Sequence, residues 1–375
     1  MKIKFFKHSL GKDEINAIRK VVHSDFLSSG PYCRKFEKLF SKKFSKKYCA
    51  TFSSWTMANY ILIKSLKLKK DDEIILSPLT FVSSINTIIL AGAKPIFVDV
   101  DLETGLIDPE KIRQKITKKT KAILVVHLYG QMCDMKEIAK ICKAKAIKII
   151  EDCAHCIEGN RNKILPGELS YAAIFSFYAT KNITCGEGGA IITNNSRLDK
   201  KLKQMRYHGI NKLINRKLIY NHWDQQEISL KCNMTDLNAS ILIPQIKKIE
   251  KNWKKRKLLW NKLIEFFKKY KDIRILKNIE DTKHAMHLFT FLVNPNIRDK
   301  LINNLIKNNV NCAVHYRPIT KLSYYKKIVN EKKIPNATLI GKSTISLPFY
   351  PKLKKSELKF MLGKLKKSFS TFRIN

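Results

Sequence analysis

The chain has 375 residues, 44% of them hydrophobic, with 13 Gly and 11 Pro, which is enough for a large and a smaller domain with a buried core and excludes a disordered chain. Its 73 Lys+Arg against 31 Asp+Glu give a formal net charge of +42, but only 12 are arginine and the lysines are spread along the chain. Base readout leans on arginine, so diffuse surface charge is expected rather than a nucleic-acid interface, with attraction of anionic substrates as a consequence. The first residues, MKIKFFKHSLGKDEINAIRK, are too charged for a secretory signal, and no apolar run reaches the roughly eighteen residues of a membrane span; a soluble, cytoplasmic protein is expected.

Apolar runs alternate with amphipathic stretches through the first 200 residues. CATFSS (49–54) reads as a strand and TMANYILIKSL as the helix after it. DEIILS and PIFVDV read as strands on either side of the helix FVSSINTIILAGA, and a helix follows over Pro109–Ile116. KAILVVHLYG is a strand and turn, then a helix from Met135 to Lys145 and a strand AIKIIED. AAIFSF and GGAIIT are two further strands, and a helix starts near Ser196. Such alternation predicts a mostly parallel sheet covered on both faces, with ligands at the carboxyl ends of its strands. From Thr235 to about Tyr270 the sequence predicts one long basic helix with a kink at Pro244, its charges forming a solvated face. HLFTFLV, NNLIKNNV, CAVHY and LKFMLGKL then suggest a smaller α+β domain, which sets domains of 1–245 and 246–375.

Between Leu169 and Ser196 the only charged residues are Lys181 and Glu187. A tolerated surface lysine and a desolvated, reactive amine both fit this stretch alone; the second would carry a lowered pKa and form Schiff bases. Asp152, His155 and Lys181 all fall just past predicted strand ends. A lysine with an acidic partner for a ring nitrogen is the signature of pyridoxal phosphate. That cofactor also asks for an aromatic ring to stack on it and a helix N-terminus for its phosphate, offered by Phe81 and by SSWTM. The nine cysteines form no disulfide framework, and the single CxxC, Cys153 and Cys156, lacks the second pair a zinc site would want; no metal is expected and packing behind a strand end is the reading. Glu187, between glycines, reads as structural.

These residues carry a resemblance. SSGPYCRKFE, SPLTFVSSINTIILAGAKPIFVDVD, IIEDCAH, FSFYATKNITCGEGGAIITN, CNMTDLNAS and VHYRP stand in an order that resembles the DegT/DnrJ/EryC1/StrS family of nucleotide-sugar aminotransferases. KNITCGEGG and KCNMTDLNA are most similar to the branch that makes 4-amino-4-deoxy-L-arabinose nucleotides. The resemblance implies the type I fold of pyridoxal-phosphate enzymes, aspartate aminotransferase-like, with a large α/β domain and a small α+β domain. It implies Lys181 as the lysine that holds the cofactor, Asp152 as partner of the pyridinium nitrogen and His155 beside the ring hydroxyl. Phe81 stacks on the ring, Thr56 and Met57 offer backbone amides to the phosphate, and Ser176 offers a hydroxyl. Asn233 reaches the phosphate of the neighbouring subunit, which implies a homodimer with shared sites. Ser29, Gly30, His315 and Tyr316 lie near the sugar nucleotide.

The chain departs from the pattern at Trp55, where a small residue is usual and a bulky one would either crowd the phosphate loop or line the sugar site. It departs again at Tyr178, where the arabinose branch carries histidine, and at Cys153 and Cys156, where alanines are usual. The implied reaction moves an amino group from L-glutamate to a keto-sugar nucleotide. The alternatives are a sugar dehydratase of the same family, which carries histidine in place of the lysine, and a non-catalytic basic nucleic-acid-binding regulator.

Overall fold

A computed structural model describes residues 1–212 and 222–375. Its centre is a seven-stranded sheet. The strands are β1 (Tyr48–Phe52), β2 (Glu73–Leu76), β3 (Lys94–Phe97), β4 (Thr120–Val126), β5 (Lys148–Asp152), β7 (Ala172–Ser176) and β8 (Gly189–Thr193). The short β6 (Asn160–Arg161) lies outside it. The order across the sheet is β1-β8-β7-β5-β4-β2-β3. β3, β2, β4, β5 and β7 run parallel, whereas β8 is antiparallel to both β7 and β1. Segments such as ILVV and AAIFS are buried residue after residue because helices cover both faces.

The helices of this layer are α1 (Lys12–Val22), α2 (Pro31–Lys43), α3 (Trp55–Ser65), α4 (Val82–Leu90), α5 (Pro109–Lys115), α6 (Met135–Lys143) and α7 (Ser196–Met205). Ser54, Asp108, Asp134 and Asn195 cap α3, α5, α6 and α7 with side-chain oxygens, each satisfying an amide that the helix itself leaves open. The first two helices were not among the elements expected from sequence. Pro31 at the first turn of α2, with Phe36, Phe40 and Phe44 at helical spacing, is the signal that marks the second of them.

The long helix α8 (Asp236–Phe267) runs through Pro244 as one element and packs against α1 and α2. Beyond it, antiparallel strands Phe289–Leu292 and Thr344–Leu347 pack with helices Pro295–Lys307 and Lys355–Thr371 around Trp260, Phe267, Phe291 and Phe369. CAVHY forms no regular strand there: it is held by a single bridge, Ala313 to Ser346, and so delivers His315 and Tyr316 back towards the main sheet. No described helix is long and apolar enough to cross a membrane.

Candidate active site

At the carboxyl ends of the parallel strands lies a cavity of about 570 Å³. The sheet sends it Asp152, His155, Ser176 and Lys181; the first turns of α3 and α4 bring Thr56 and Phe81; the returning C-terminal segment brings His315 and Tyr316. Met57, Asn233, Ser29 and Gly30 do not line it.

Asp152 closes β5 and is 6% exposed. Its Oδ2 accepts from the Ser84 hydroxyl at 3.2 Å and its Oδ1 from the Ala154 amide at 3.0 Å. Burial pushes its carboxyl up, opposed by those two hydrogen bonds and by the charge of Lys181. Lys181 sits on the loop joining β7 to β8, and no ion pair to it forms among the described residues. Burial pushes its amine down to about 8, with Asp152 acting the other way. The isolated lysine of the sequence is thus a desolvated one.

His155 is buried, and burial together with the charges of Lys181 and His315 holds its imidazolium form well below the usual range. Its Nδ1 accepts from the Tyr129 amide at 3.2 Å, so in the neutral ring the proton sits on Nε2, which meets the Tyr316 hydroxyl at 3.1 Å. The Tyr129 hydroxyl donates to the His315 carbonyl, which ties the C-terminal segment down a second time. Phe81 caps α4 and leaves 57% of its surface exposed on the cavity wall, with its ring 6.0 Å from that of Tyr316.

The N-terminus of α3 opens on the same cavity, and the hydroxyls of Thr56 and Ser83 share a hydrogen bond of 2.6 Å that ties it to α4. The Met57 amide is already taken by the Ser54 hydroxyl at 3.1 Å, which leaves the amides of Trp55 and Thr56 as the open donors of that turn. Trp55 is 7% exposed and belongs to the buried cluster that includes Phe52 and Ala58, while it also lines the cavity. Gly189 leaves room for the loop from the other side: a Cβ there would lie 2.6 Å from the Ser54 carbonyl oxygen and 2.8 Å from the Trp55 nitrogen. Ser176 ends β7 with its hydroxyl accepting from the Tyr178 amide at 3.4 Å, and Tyr178 lines the cavity with 47% of its surface exposed. Glu187, read from sequence as structural, also lines the cavity.

Asn233 gathers elsewhere, with its side-chain amide donating to the hydroxyls of Ser28 at 3.0 Å and Ser29 at 2.8 Å. Gly30 is buried, and its amide donates to Asp236 Oδ1 at 2.8 Å. Asp236 also accepts from the amides of Tyr32 and Cys33 and so caps α2 across the chain, a role the sequence reading missed. Two more α8 residues were missed. Gln245 accepts from the Thr184 amide at 3.0 Å and donates to its carbonyl at 2.7 Å, while Asn238 donates to the carbonyl of Cys185 at 2.9 Å. Both fasten the Lys181 loop to α8, and no local signal in the sequence marks either.

Cys153 and Cys156 are buried, with burial holding both thiols protonated. Cys153, His127 and Glu151 form a compact buried group of potential metal ligands. Two of its three members already have partners: Glu151 takes the His127 Nε2 contact at 2.8 Å and the Gly167 amide at 2.9 Å, and His127 Nδ1 takes the Cys133 amide at 3.2 Å.

The donor set fits pyridoxal phosphate. It offers a desolvated amine, a buried carboxylate held by a hydroxyl and an amide, an exposed aromatic face, and a helix N-terminus that Gly189 leaves room to approach.

The model of the DegT/DnrJ/EryC1/StrS aminotransferase family matches residues 8–366. The chain is 36% identical to the uncharacterized protein MJ1066 of Methanocaldococcus jannaschii, covering 98% of each chain. It is 33% identical to the spore coat polysaccharide biosynthesis protein SpsC of Bacillus subtilis, over 92% of this chain and 91% of that one. Among solved structures, Helicobacter pylori PseC, an aminotransferase involved in the biosynthesis of pseudoaminic acid, superposes with a TM-score of 0.93 at 25% identity, over 99% of this chain and 100% of the other.

Proposed function

Because the chain belongs to the DegT/DnrJ/EryC1/StrS aminotransferase family, we propose that it moves an amino group from L-glutamate to a 4-keto sugar carried on UDP or dTDP. It is a pyridoxal-phosphate enzyme of the sugar transaminase class. The product is an amino sugar for a surface polysaccharide, glycan or lipid A, made in the cytoplasm by a homodimer with shared sites. The observation that carries the reading is the presence of Lys181 and Asp152 in one cavity, each shifted by burial towards its neutral form.

Bound pyridoxal phosphate supplies an electron sink for the pair left behind when the substrate carbon loses its proton. With the cofactor bound, the Lys181 amine would hold it covalently and, when free, would carry a proton at the reacting carbon. An amine shifted to about 8 is suited to both directions, since it gains and loses a proton near neutral pH. Asp152 keeps the ring nitrogen protonated and is itself oriented by Ser84 and Ala154. His155 would present Nε2–H to the ring hydroxyl, Phe81 would cover the ring, and the open amides of α3 with Ser176 would receive the phosphate. With the keto sugar the same residues would act in the opposite direction. A cationic surface favours both anionic substrates.

A dehydratase reading is disfavoured by Lys181 itself, which stands where that branch carries histidine. The test is purified protein with glutamate and a panel of 4-keto UDP- and dTDP-sugars, products read by mass. An amino sugar from at least one member is expected. Conversion of glutamate to its keto acid with no amino sugar from any member would sink the substrate class and leave the chemistry standing.

A further inference from the structure

Directly behind Lys181 runs a buried polar chain that the steps above do not use. Asn182 donates from Nδ2 to Glu158 Oε2 at 2.7 Å and to the Ala285 carbonyl at 3.1 Å. Its Oδ1 meets His287 Nδ1 at 3.0 Å. The His287 ring stacks on that of His155, with centroids 4.4 Å and planes 26° apart. On the far side Glu158 Oε1 faces Arg256 Nη1 of α8 at 3.7 Å. All of these groups are under 9% exposed: Asn182 8%, His287 5%, Glu158 5%, Arg256 4%.

The donor logic fixes the chain's direction. A backbone carbonyl only accepts, so the nitrogen of Asn182 must be the atom facing Ala285 and Glu158, and its oxygen the atom facing His287. His287 therefore carries its proton on Nδ1. Burial holds the imidazolium form of His287 well below the usual range, and positive charge on the neighbouring His155, Lys181, Arg256 or His315 acts in the same direction. Glu158 is the anion of the group, one residue removed from the ring. Its ion pair with Arg256 is loose, and Glu158 Oε1 with Arg256 Nε and Nη1 makes no hydrogen bond. Asn182 is the one side chain that hydrogen-bonds Glu158 among the described residues. Removing it frees an anion and a histidine ring in the same step.

We propose that Asn182 is a positioning residue of the transamination site: gripped by Glu158, it fixes the ring of His287, which holds His155 by stacking and keeps its Nε2–H directed at Tyr316 and the cavity. Four separate pieces of chain meet in this chain of contacts, namely the segment after β5, the lysine loop, α8 and the residues before the strand Phe289–Leu292. It rests on the placement of the cofactor in this cavity. A wild-type protein that shows no visible band on addition of pyridoxal phosphate would fault that placement and not the role of Asn182.

Three variants of the full chain test it: Asn182→Ala, Asn182→Asp, and Asn182→Asp combined with Glu158→Gln. The double variant keeps the net charge and restores a donor facing an acceptor between positions 158 and 182, with the direction reversed, while the Ala285 carbonyl loses its donor. Measured are the cofactor bound per chain, the pH midpoint of the visible band of bound cofactor, kcat, and KM for each substrate. In Asn182→Ala and Asn182→Asp, kcat per bound cofactor should fall about ten- to a hundredfold, with KM changed by less than about threefold and the band midpoint displaced. The double variant should recover part of kcat relative to Asn182→Asp, because it relieves the like-charge contact with Glu158. A lower melting temperature in Asn182→Ala with unchanged midpoint and kcat per cofactor would overturn the proposal. Unchanged midpoint and kcat per cofactor in Asn182→Asp would overturn it too, and that variant decides the matter should Asn182→Ala not fold.

Discussion

Lys181 and Asp152 reach one cavity from neighbouring strands, β7 and β5, and burial moves them in opposite directions: the amine down to about 8, the carboxyl up. Each is the other's counter-charge. An amine shifted towards neutrality beside a buried carboxyl places a proton carrier and a counter-charge in one site.

The first prediction concerns stability without cofactor. The Lys181 amine has a pKa of about 8 when folded against 10.5 for the free side chain, so the unfolded chain binds its proton more tightly. Stability on this account is lowest below pH 8 and rises as the pH climbs from 8 to 10.5. Cofactor-free Lys181→Met should therefore exceed wild type by up to about 3 kcal/mol at pH 7, with the gap closing towards pH 10. Urea midpoints of both proteins at the two pH values measure this. A gap independent of pH would rule out the desolvated amine as its source.

Replacing Asp152 with Asn keeps the shape and a hydrogen-bonding group but removes the charge. Turnover should fall by about 10²–10³-fold, an electrostatic loss of roughly 3–4 kcal/mol at the transition state, while cofactor still binds. Single-turnover rates with glutamate would show it. Near-wild-type rates would remove Asp152 from the mechanism.

Gly189→Ala puts a methyl 2.6 Å from the Ser54 carbonyl oxygen and 2.8 Å from the Trp55 nitrogen, both backbone atoms. The first turn of α3 must shift, at a cost of about 1–3 kcal/mol. Pyridoxal phosphate should bind at least about tenfold more weakly, because the phosphate amides move with that turn. Titration of the visible band reads the affinity, and an unchanged value would show that α3 does not hold the phosphate.

Asn233 sits outside the cavity of its own chain, beside Ser28 and Ser29. If it serves the partner subunit, mixing Lys181→Ala with Asn233→Asp chains should regenerate activity, since one site of each mixed dimer then has both residues intact. The added charge of Asn233→Asp repels phosphate, so each parent starts impaired. Mixed dimers that form without any recovery would leave Asn233 a local tie for Ser28 and Ser29.

What the sequence determined by itself was what is local. The βα alternation is a matter of hydrophobic period, and Lys181 stood out because its neighbours in the chain are apolar. Asp152 and His155 followed from strand ends, while the role of Phe81 rested on the resemblance carried by LTFVS. The antiparallel insertion of β8 between β7 and β1 has no local signal, since the same continuous apolar run suits either direction. Nor was there any sign that Asp236 caps α2 from 206 positions away, that Gln245 clamps Thr184 from 61, or that Asn182 ties Glu158 to His287. Those roles depend on which buried polar groups are left facing one another once the layers have packed. A buried donor or acceptor must find a partner wherever the fold has brought one, whatever the distance along the chain.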